Sequence, residues 1–276
     1  MKHSKRFLIL GSVCLVGLAL LVKIFLGSIY RLPILMYHSI DYTLDKKDRM
    51  IVSPEAFAKQ MKFLNDKRYN VIPLEKAVWY IKESKKPPPK TVAITIDDGY
   101  ENNYMNVFPV LKKYGIPATI FVITKMIGKE GFLTLGQIKE MSRSGLVDIE
   151  SHTKSHFWLT GLDDDTLREE AEGSKKILEG ILGKGVNYIC YPMGAYNERV
   201  KNAVKKCGYK AAFATKPTRL GPNYDVYEIK RVRISSTSDN LCVFFIKLSG
   251  YHAFFRVIQN DYKDIPYLIW KRRSSS

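Results

Sequence analysis

The chain has 276 residues, 46% of them hydrophobic and 26% charged, which excludes a disordered polymer and leaves room for one large domain or two small ones. Its formal charge of +17, from 44 Lys and Arg against 27 Asp and Glu, favours anionic surroundings. No zinc-finger spacing, RNP-type aromatic motif or basic-region helix accompanies that charge. A diffusely basic surface beside a membrane is therefore a better reading than nucleic-acid binding.

In chain order, Lys2, Lys5 and Arg6 precede an uncharged apolar run over residues 7–22. Lys23 interrupts the run and residues 24–30 resume it. A membrane-spanning helix needs about 20 mostly apolar residues, so the stretch 7–26 is long enough. Lys23 would then snorkel at the outer end, and the basic cluster predicts a cytoplasmic N-terminus with the rest of the chain outside. A cleaved signal peptide is the rival. No clean A-x-A site follows the run, so an uncleaved anchor over residues 1–30 is favoured. The cysteines Cys14, Cys190, Cys207 and Cys242 show no repeated spacing that reads as a disulfide framework or a Cys-rich metal site, and buried thiols are expected.

After residue 30 short apolar strands alternate with amphipathic helices. Strands are expected at 33–37, 70–74, 91–96, 118–124, 146–150, 186–191, 210–215 and 228–234. Helices are expected after Ser53-Pro54, through Ile81, over 103–114 closed by Gly115, over 134–143 and after Asp163. Two more are expected over 198–207 and 239–248. The KKPPPK stretch at 85–90 reads as a stiff connector. Seven to eight parallel strands with helical crossovers predict an α/β fold, a deformed (β/α)7–8 barrel over residues 31–250. Residues 251–276 form an aromatic and basic extension, with core packing the default role for its rings.

In parallel barrels, functional residues gather at the carboxyl ends of strands. Here His38, Asp97-Asp98, His152 and Pro192-Met193-Gly194 each follow an expected strand, so all open onto one face. Adjacent carboxylates at a strand end are tolerated when a cation or hydrogen-bond donors balance them, although Asp-Asp-Gly also suits an ordinary turn or cap. His152 and His156 are four apart, and two imidazoles at that spacing suit zinc and its neighbours. Two exposed loop histidines would look the same. Two His and one Asp leave coordination positions for water, the open geometry of a catalytic metal, and the other Asp can accept a proton.

TIDDG at 95–99 followed by SHTKSH at 151–156 resembles the first two motifs of the NodB-type polysaccharide deacetylases, carbohydrate esterase family 4. The resemblance runs from about residue 33 to 248. It implies that Asp97 is the general base and that Asp98, His152 and His156 hold a divalent metal. Zinc fits best by ligand type, with cobalt, nickel or manganese as alternatives. Cys190-Tyr191-Pro192-Met193-Gly194 departs from the R-x-P-Y of many members. With Leu35-Met36-Tyr37-His38 it looks like the subgroup that includes the poly-N-acetylglucosamine deacetylases. That likeness implies an oxyanion donor in the Met193 amide, with Tyr191 and Tyr196 lining a sugar site. It also implies a general acid in His38 rather than His252. Arg231 is the expected partner of Asp97, with Arg233 on the same strand face as a competitor. The expected protein is a membrane-anchored enzyme removing N-acetyl groups from N-acetylglucosamine-containing extracytoplasmic glycans. An O-acetyl esterase and an inactive glycan-binding protein on the same fold are the alternatives.

Overall fold

The computed structural model describes residues 2–42, 50–215, 223 and 225–254, with side chains from residue 15 onward except residue 16. Helix α1 (Lys2–Ile29) leads into the barrel. Its apolar side chains from Leu18 to Leu26 are mostly exposed, Leu21 at 66% and Ile24 at 68%. Within the expected membrane span over residues 7–26, the side chains of residues 7–14 and 16 lie outside the described residues. Among the described residues no helix is long and apolar enough to cross a membrane.

The barrel strands are β1 (Ile34–Tyr37), β3 (Thr91–Ile96), β4 (Ala118–Val122), β5 (Val147–Ser151), β6 (Tyr188–Cys190), β7 (Ala211–Ala214), β8 (Ile229–Lys230) and β9 (Val232–Arg233). They pair in the order β8-β7-β6-β5-β4-β3-β1-β9, and a short β2 (Asn70–Val71) pairs the start of β3. Every ladder is parallel, so all the carboxyl ends share one face. The expected single last strand at 228–234 is split. Its first half continues β7 (Phe213↔Ile229) and its second half joins β1 (Leu35↔Val232). Arg231 sits at the switch. This one segment spans the seam of an eight-stranded, near-closed barrel.

The helices follow local signals in the sequence. Ser53 caps α2 (Pro54–Asp66), its hydroxyl accepting the Ala56 N–H at 3.2 Å, with proline in the first turn. Thr134 and Gln137 form a reciprocal capping box on α5 (Leu135–Arg143). Asp163 caps α6 (Asp164–Arg168), and Asn197 caps α8 (Glu198–Lys206). Helix α4 (Phe108–Tyr114) stops at Gly115, whose φ of 62° is left-handed and suits glycine. Two expectations of continuous helix fail. A π-helical turn, Asn103–Val107, precedes α4, and another, Glu169–Gly173, separates α6 from α7 (Ser174–Leu182).

Period-2 alternation along the strands sorts the core into two layers. Leu35, Tyr37, Ile94, Ile96, Ile120, Val147, Ile149, Ile189 and Ala212 pack outward against α2, α4, α5, α7, α8 and α9 (Leu241–Leu248). Ile34, Ala93, Phe121, Tyr188, Cys190, Phe213 and Ile229 fill the barrel. Leu74, Ala77 and Val78 of α3 (Leu74–Lys82) pack with them. The amino end of β1 is tied to the chain beyond α9: the Arg31 N–H donates to Gly250 O at 2.9 Å, and Tyr30 and Tyr251 meet edge to face. The aromatic extension expected from residue 251 is described only as far as Phe254, which packs on Phe25; Tyr262, Tyr267 and Trp270 lie outside the described residues. Cys190 is buried as expected, whereas Cys242 is exposed.

β5 and β6 share a single register pair, Ser151↔Ile189. Beside it, the buried Glu150 carboxylate accepts the Asn187 and Tyr188 N–H groups at 2.9 and 2.8 Å, satisfying donors that a strand carbonyl would otherwise take. Burial pushes the Glu150 carboxyl up to about 8, against the opposing pull of those two N–H donors. A carboxyl raised by folding stabilises fully below its unfolded value of about 4.3, and that stability is lost as pH climbs towards the folded value. Glu150→Gln keeps an acceptor oxygen and cannot ionise. Its Tm is therefore expected to gain several degrees on the wild type between about pH 5 and pH 8. Parallel Tm–pH curves for the two proteins would remove this account of Glu150.

Candidate metal and catalytic site

Strand β3 delivers Asp97 and Asp98 to the carboxyl face, and a tight turn separates their roles. Asp98 (φ 72°) and Gly99 (φ 75°) are both left-handed. A Cβ on Gly99 would press on Val122 at 3.2 Å, so glycine is needed there and the strain falls on Asp98. The two carboxylates enter different surroundings.

Asp97 points into the barrel and is 2% exposed. Arg231 grips it with both arms, Nη1 donating to Oδ1 at 2.7 Å and Nη2 to Oδ2 at 2.6 Å. Arg231 Nη1 also donates to Thr95 Oγ1 at 3.0 Å, and that hydroxyl donates to Leu35 O at 2.7 Å. The guanidinium lies over Phe121, 5.5 Å from its ring centre. Burial alone would raise the Asp97 carboxyl, but the Arg231 charge and hydrogen bonds outweigh it and hold the group well below the usual carboxylate range. The expected competition between two arginines is thus decided. Arg231 is buried on Asp97, while Arg233 is exposed, its Nη1 3.9 Å from Met50 Sδ.

Asp98 faces the histidines. Its Oδ1 lies 3.4 Å from His152 Nε2 and 3.6 Å from His156 Nε2. One ligand atom from each of the three residues falls within a 4.8 Å cluster. His152 Nδ1 lies 2.9 Å from Cys190 O. A carbonyl only accepts, so Nδ1 carries a proton, which leaves Nε2, the atom that faces Asp98, as the one available to a metal. The two imidazoles meet edge to face with centres 4.7 Å apart. This donor set suits a divalent transition ion: two imidazoles that ligate in their neutral form, one carboxylate and an open side. A second cluster, Asp97 with His152 and Cys190, lies deeper. There the Asp97 oxygens and the Cys190 sulfur already accept from Arg231, so a cation occupies that position in the form of a guanidinium.

His38, after β1, has Nε2 3.8 Å from Asp97 Oδ2. Burial lowers its pKa, outweighing the nearby Asp97 and Asp98 charges. The loop behind it is pinned by the π turn before α4. Asn103 Nδ2 donates to His38 O at 3.0 Å and Asn106 Nδ2 to Ile40 O at 2.8 Å. His252 does not line the cavity. It follows Tyr251, which packs on Tyr30 at the opposite end of the barrel.

An open cavity of about 450 Å³ unites His38, Asp97, Asp98, His152 and His156 with Tyr100, Tyr191, Met193 and Thr215. Met193 is left-handed (φ 55°) and 57% exposed. Its neighbour Gly194 lies so close to Thr215 that a Cβ would stand 2.8 Å away. As a residue of a first helical turn, Met193 has an N–H with no acceptor inside that turn. Tyr191 forms part of the wall, but its hydroxyl donates to Tyr227 O at 2.9 Å. Tyr196 stacks on Tyr191, ring centres 5.2 Å apart, and is not among the lining residues. Reading the sequence alone overlooked Thr95, Cys190 and Thr215. The inward alternation of Cys190 along β6 was the available signal for one of them.

Residues 84–212 match the family described as polysaccharide deacetylase. The chain is 40% identical over 205 residues to YxkH of Bacillus subtilis, covering 74% of this chain and 72% of that one. It is 34% identical over 197 residues to a poly-beta-1,6-N-acetyl-D-glucosamine N-deacetylase of Staphylococcus aureus, covering 67% and 68%. The crystal structure of a polysaccharide deacetylase from Bacillus cereus superposes with a TM-score of 0.69 at 36% identity, covering 79% of this chain and 68% of that one.

Proposed function

We propose that this chain, which belongs to the polysaccharide deacetylase family, removes N-acetyl groups from N-acetylglucosamine-containing glycans outside the cytoplasm, using a divalent metal, zinc by ligand type. It is a hydrolase of amide bonds in acetylated polysaccharide. The observation that carries the finer reading is the division of labour between neighbouring carboxylates: Asp97 locked to Arg231, Asp98 turned to two imidazole Nε2 atoms.

Asp98, His152 and His156 would hold the ion. When bound, it supplies a Lewis acid and acidifies water, bringing its pKa from 15.7 to about 7. Asp97 then accepts the proton of the attacking water. Arg231 keeps it ionised and aimed, and an acidified water asks little basicity of it. His38, 3.8 Å from Asp97 Oδ2, takes that proton on to the sugar nitrogen as the C–N bond breaks. Acetate and a free amine leave. The Met193 N–H offers a hydrogen bond to the oxyanion as the acetyl carbonyl becomes tetrahedral. The wall formed by Tyr191 and Met193 receives the sugar, with Tyr196 supporting it from behind.

The test is acetate release from poly-β-1,6-N-acetylglucosamine, chitooligosaccharide, peptidoglycan and an O-acetylated polymer, with and without a chelator. Release from the amide substrates, abolished by the chelator and restored by zinc, is expected. Release from the ester alone, or release that the chelator leaves untouched, would overturn the proposal. The amino-terminal helix anchors the chain in a membrane with the barrel outside. The basic residues before its apolar run and the exposed Leu18, Leu21 and Ile24 support this reading. The full chain should therefore float with vesicles and resist alkaline extraction.

A further inference from the structure

The stretch behind the histidines is broken by the π-helical turn Glu169–Gly173. A π turn inserts an extra residue, so its carbonyls slip out of the regular helical ladder and become available to other donors. Glu170 O accepts the Lys154 N–H at 3.1 Å, and Ala171 O accepts the Tyr209 hydroxyl at 2.8 Å. The Glu170 side chain is 3% exposed, and its Oε2 accepts the Ser155 N–H at 2.7 Å.

The backbone that Glu170 grips ends at His156. Two of its residues are left-handed without being glycine, Thr153 (φ 65°) and His156 (φ 62°). Such a path is sterically unfavourable for L-residues and persists only where the surroundings fix it. Each amide along it has an acceptor. The Thr153 N–H donates to Ser151 Oγ and the His156 N–H to Thr153 Oγ1, each at 3.1 Å, while the Lys154 and Ser155 N–H groups both donate to Glu170. Half of these donors rest on one residue from another element. Outside this buried clasp, Lys154 Nζ pairs with Glu169 Oε1 at 2.5 Å on the surface, where an ion pair contributes little.

We propose that Glu170 is a positioning residue for His156: its carboxylate and its carbonyl, both presented by the π turn, hold the Lys154–Ser155 backbone so that His156 Nε2 faces Asp98. The inference rests on the reading of Asp98, His152 and His156 as the metal site.

The test measures zinc affinity of the full chain by competition with a chromophoric chelator. Glu170→Ala is expected to weaken binding by about 10–100-fold. Glu170→Gln, which keeps an acceptor oxygen at the same reach, should stay within about threefold of wild type. Glu169→Gln, which removes only the surface pair, should leave affinity unchanged. An Ala variant within about twofold of wild type, or a Gln variant as weak as Ala, would overturn the proposal. Two controls separate it from the metal reading. Zinc binding unaffected by His156→Ala would sink that reading. Exchange of the Ser155 amide in metal-free protein reports the clasp by itself. It should quicken about tenfold or more in Glu170→Ala, and an unchanged rate would refute the clasp. Should the Ala variant not fold, Glu170→Asp, its carboxylate one methylene short, replaces it in both measurements.

Discussion

Asp97→Asn is expected to lower kcat by about 10³-fold, since general-base assistance contributes about 10²–10⁴. The amide cannot accept the water's proton, yet it fills the same volume and can still accept one hydrogen bond from Arg231. Zinc content should stay near that of the wild type, because Asp98 and the two imidazoles are untouched. That split between rate and metal content distinguishes a lost base from a collapsed site. Retention of full activity would remove Asp97 from the mechanism. Loss of zinc alongside activity would show that Asp97 belongs to the metal site rather than beside it.

Arg231→Leu carries the largest expected effect on stability. It leaves the Asp97 carboxylate, 2% exposed, without its counter-charge. Breaking a buried pair in this way costs about 3–5 kcal/mol. At about 2–4 °C per kcal/mol for a protein of this size, Tm should fall by roughly 10 °C. Adding Asp97→Asn to Arg231→Leu should recover part of that loss and none of the activity, because the stranded charge is gone but so is the base. A double variant no more stable than Arg231→Leu would contradict the electrostatic account. The pH dependence has a definite sign. The Asp97 carboxyl is lowered in the folded protein, so its contribution is present above its unfolded value of about 3.9 and is lost as pH falls. The gap between wild type and Arg231→Leu should therefore narrow in acid.

The Arg231 pair also shows where reading the sequence stopped. Arg231 and Arg233 share a strand face, and nothing local ranks them. The barrel seam does: the segment leaves β7 after Lys230 and joins β1 from Val232, so Arg231 is buried at the switch, while Arg233, in register with Met36 of β1, is exposed. Closure is a long-range event between β1 and the last strand, and the sequence carries no record of which residue will lie at the join.

The two π turns escaped for a related reason. Asp163 and the spacing of Leu167, Ala171 and Leu178 mark one long amphipathic helix, and an inserted residue leaves that apolar pattern nearly intact. The extra residue shows itself only when Glu170 is found holding Ser155, or Asn103 holding His38 O, across elements far apart in the chain. Tyr191 and Tyr196 make the converse case. Their place beside the Pro192-Met193-Gly194 motif suggested sugar contacts, but packing directs the Tyr191 hydroxyl to Tyr227 O and places Tyr196 behind it.

By itself the sequence determined what local chemistry can encode. Runs of β-branched and apolar residues marked the strands, Ser53, Thr134 and Asp163 marked the caps, strand-end placement put His38, Asp97, Asp98 and His152 on one face, and the four-residue spacing added His156. These signals are short-range, set by backbone sterics and by the hydrogen bonds of neighbouring residues. The family resemblance assigned the two carboxylates their roles, but only the tertiary structure shows what turns Asp98 to the imidazoles and Asp97 to the guanidinium: one peptide unit and a left-handed turn. That turn fits where Gly99 packs against Val122, and the choice it makes becomes visible once Arg231 has closed the barrel beneath it.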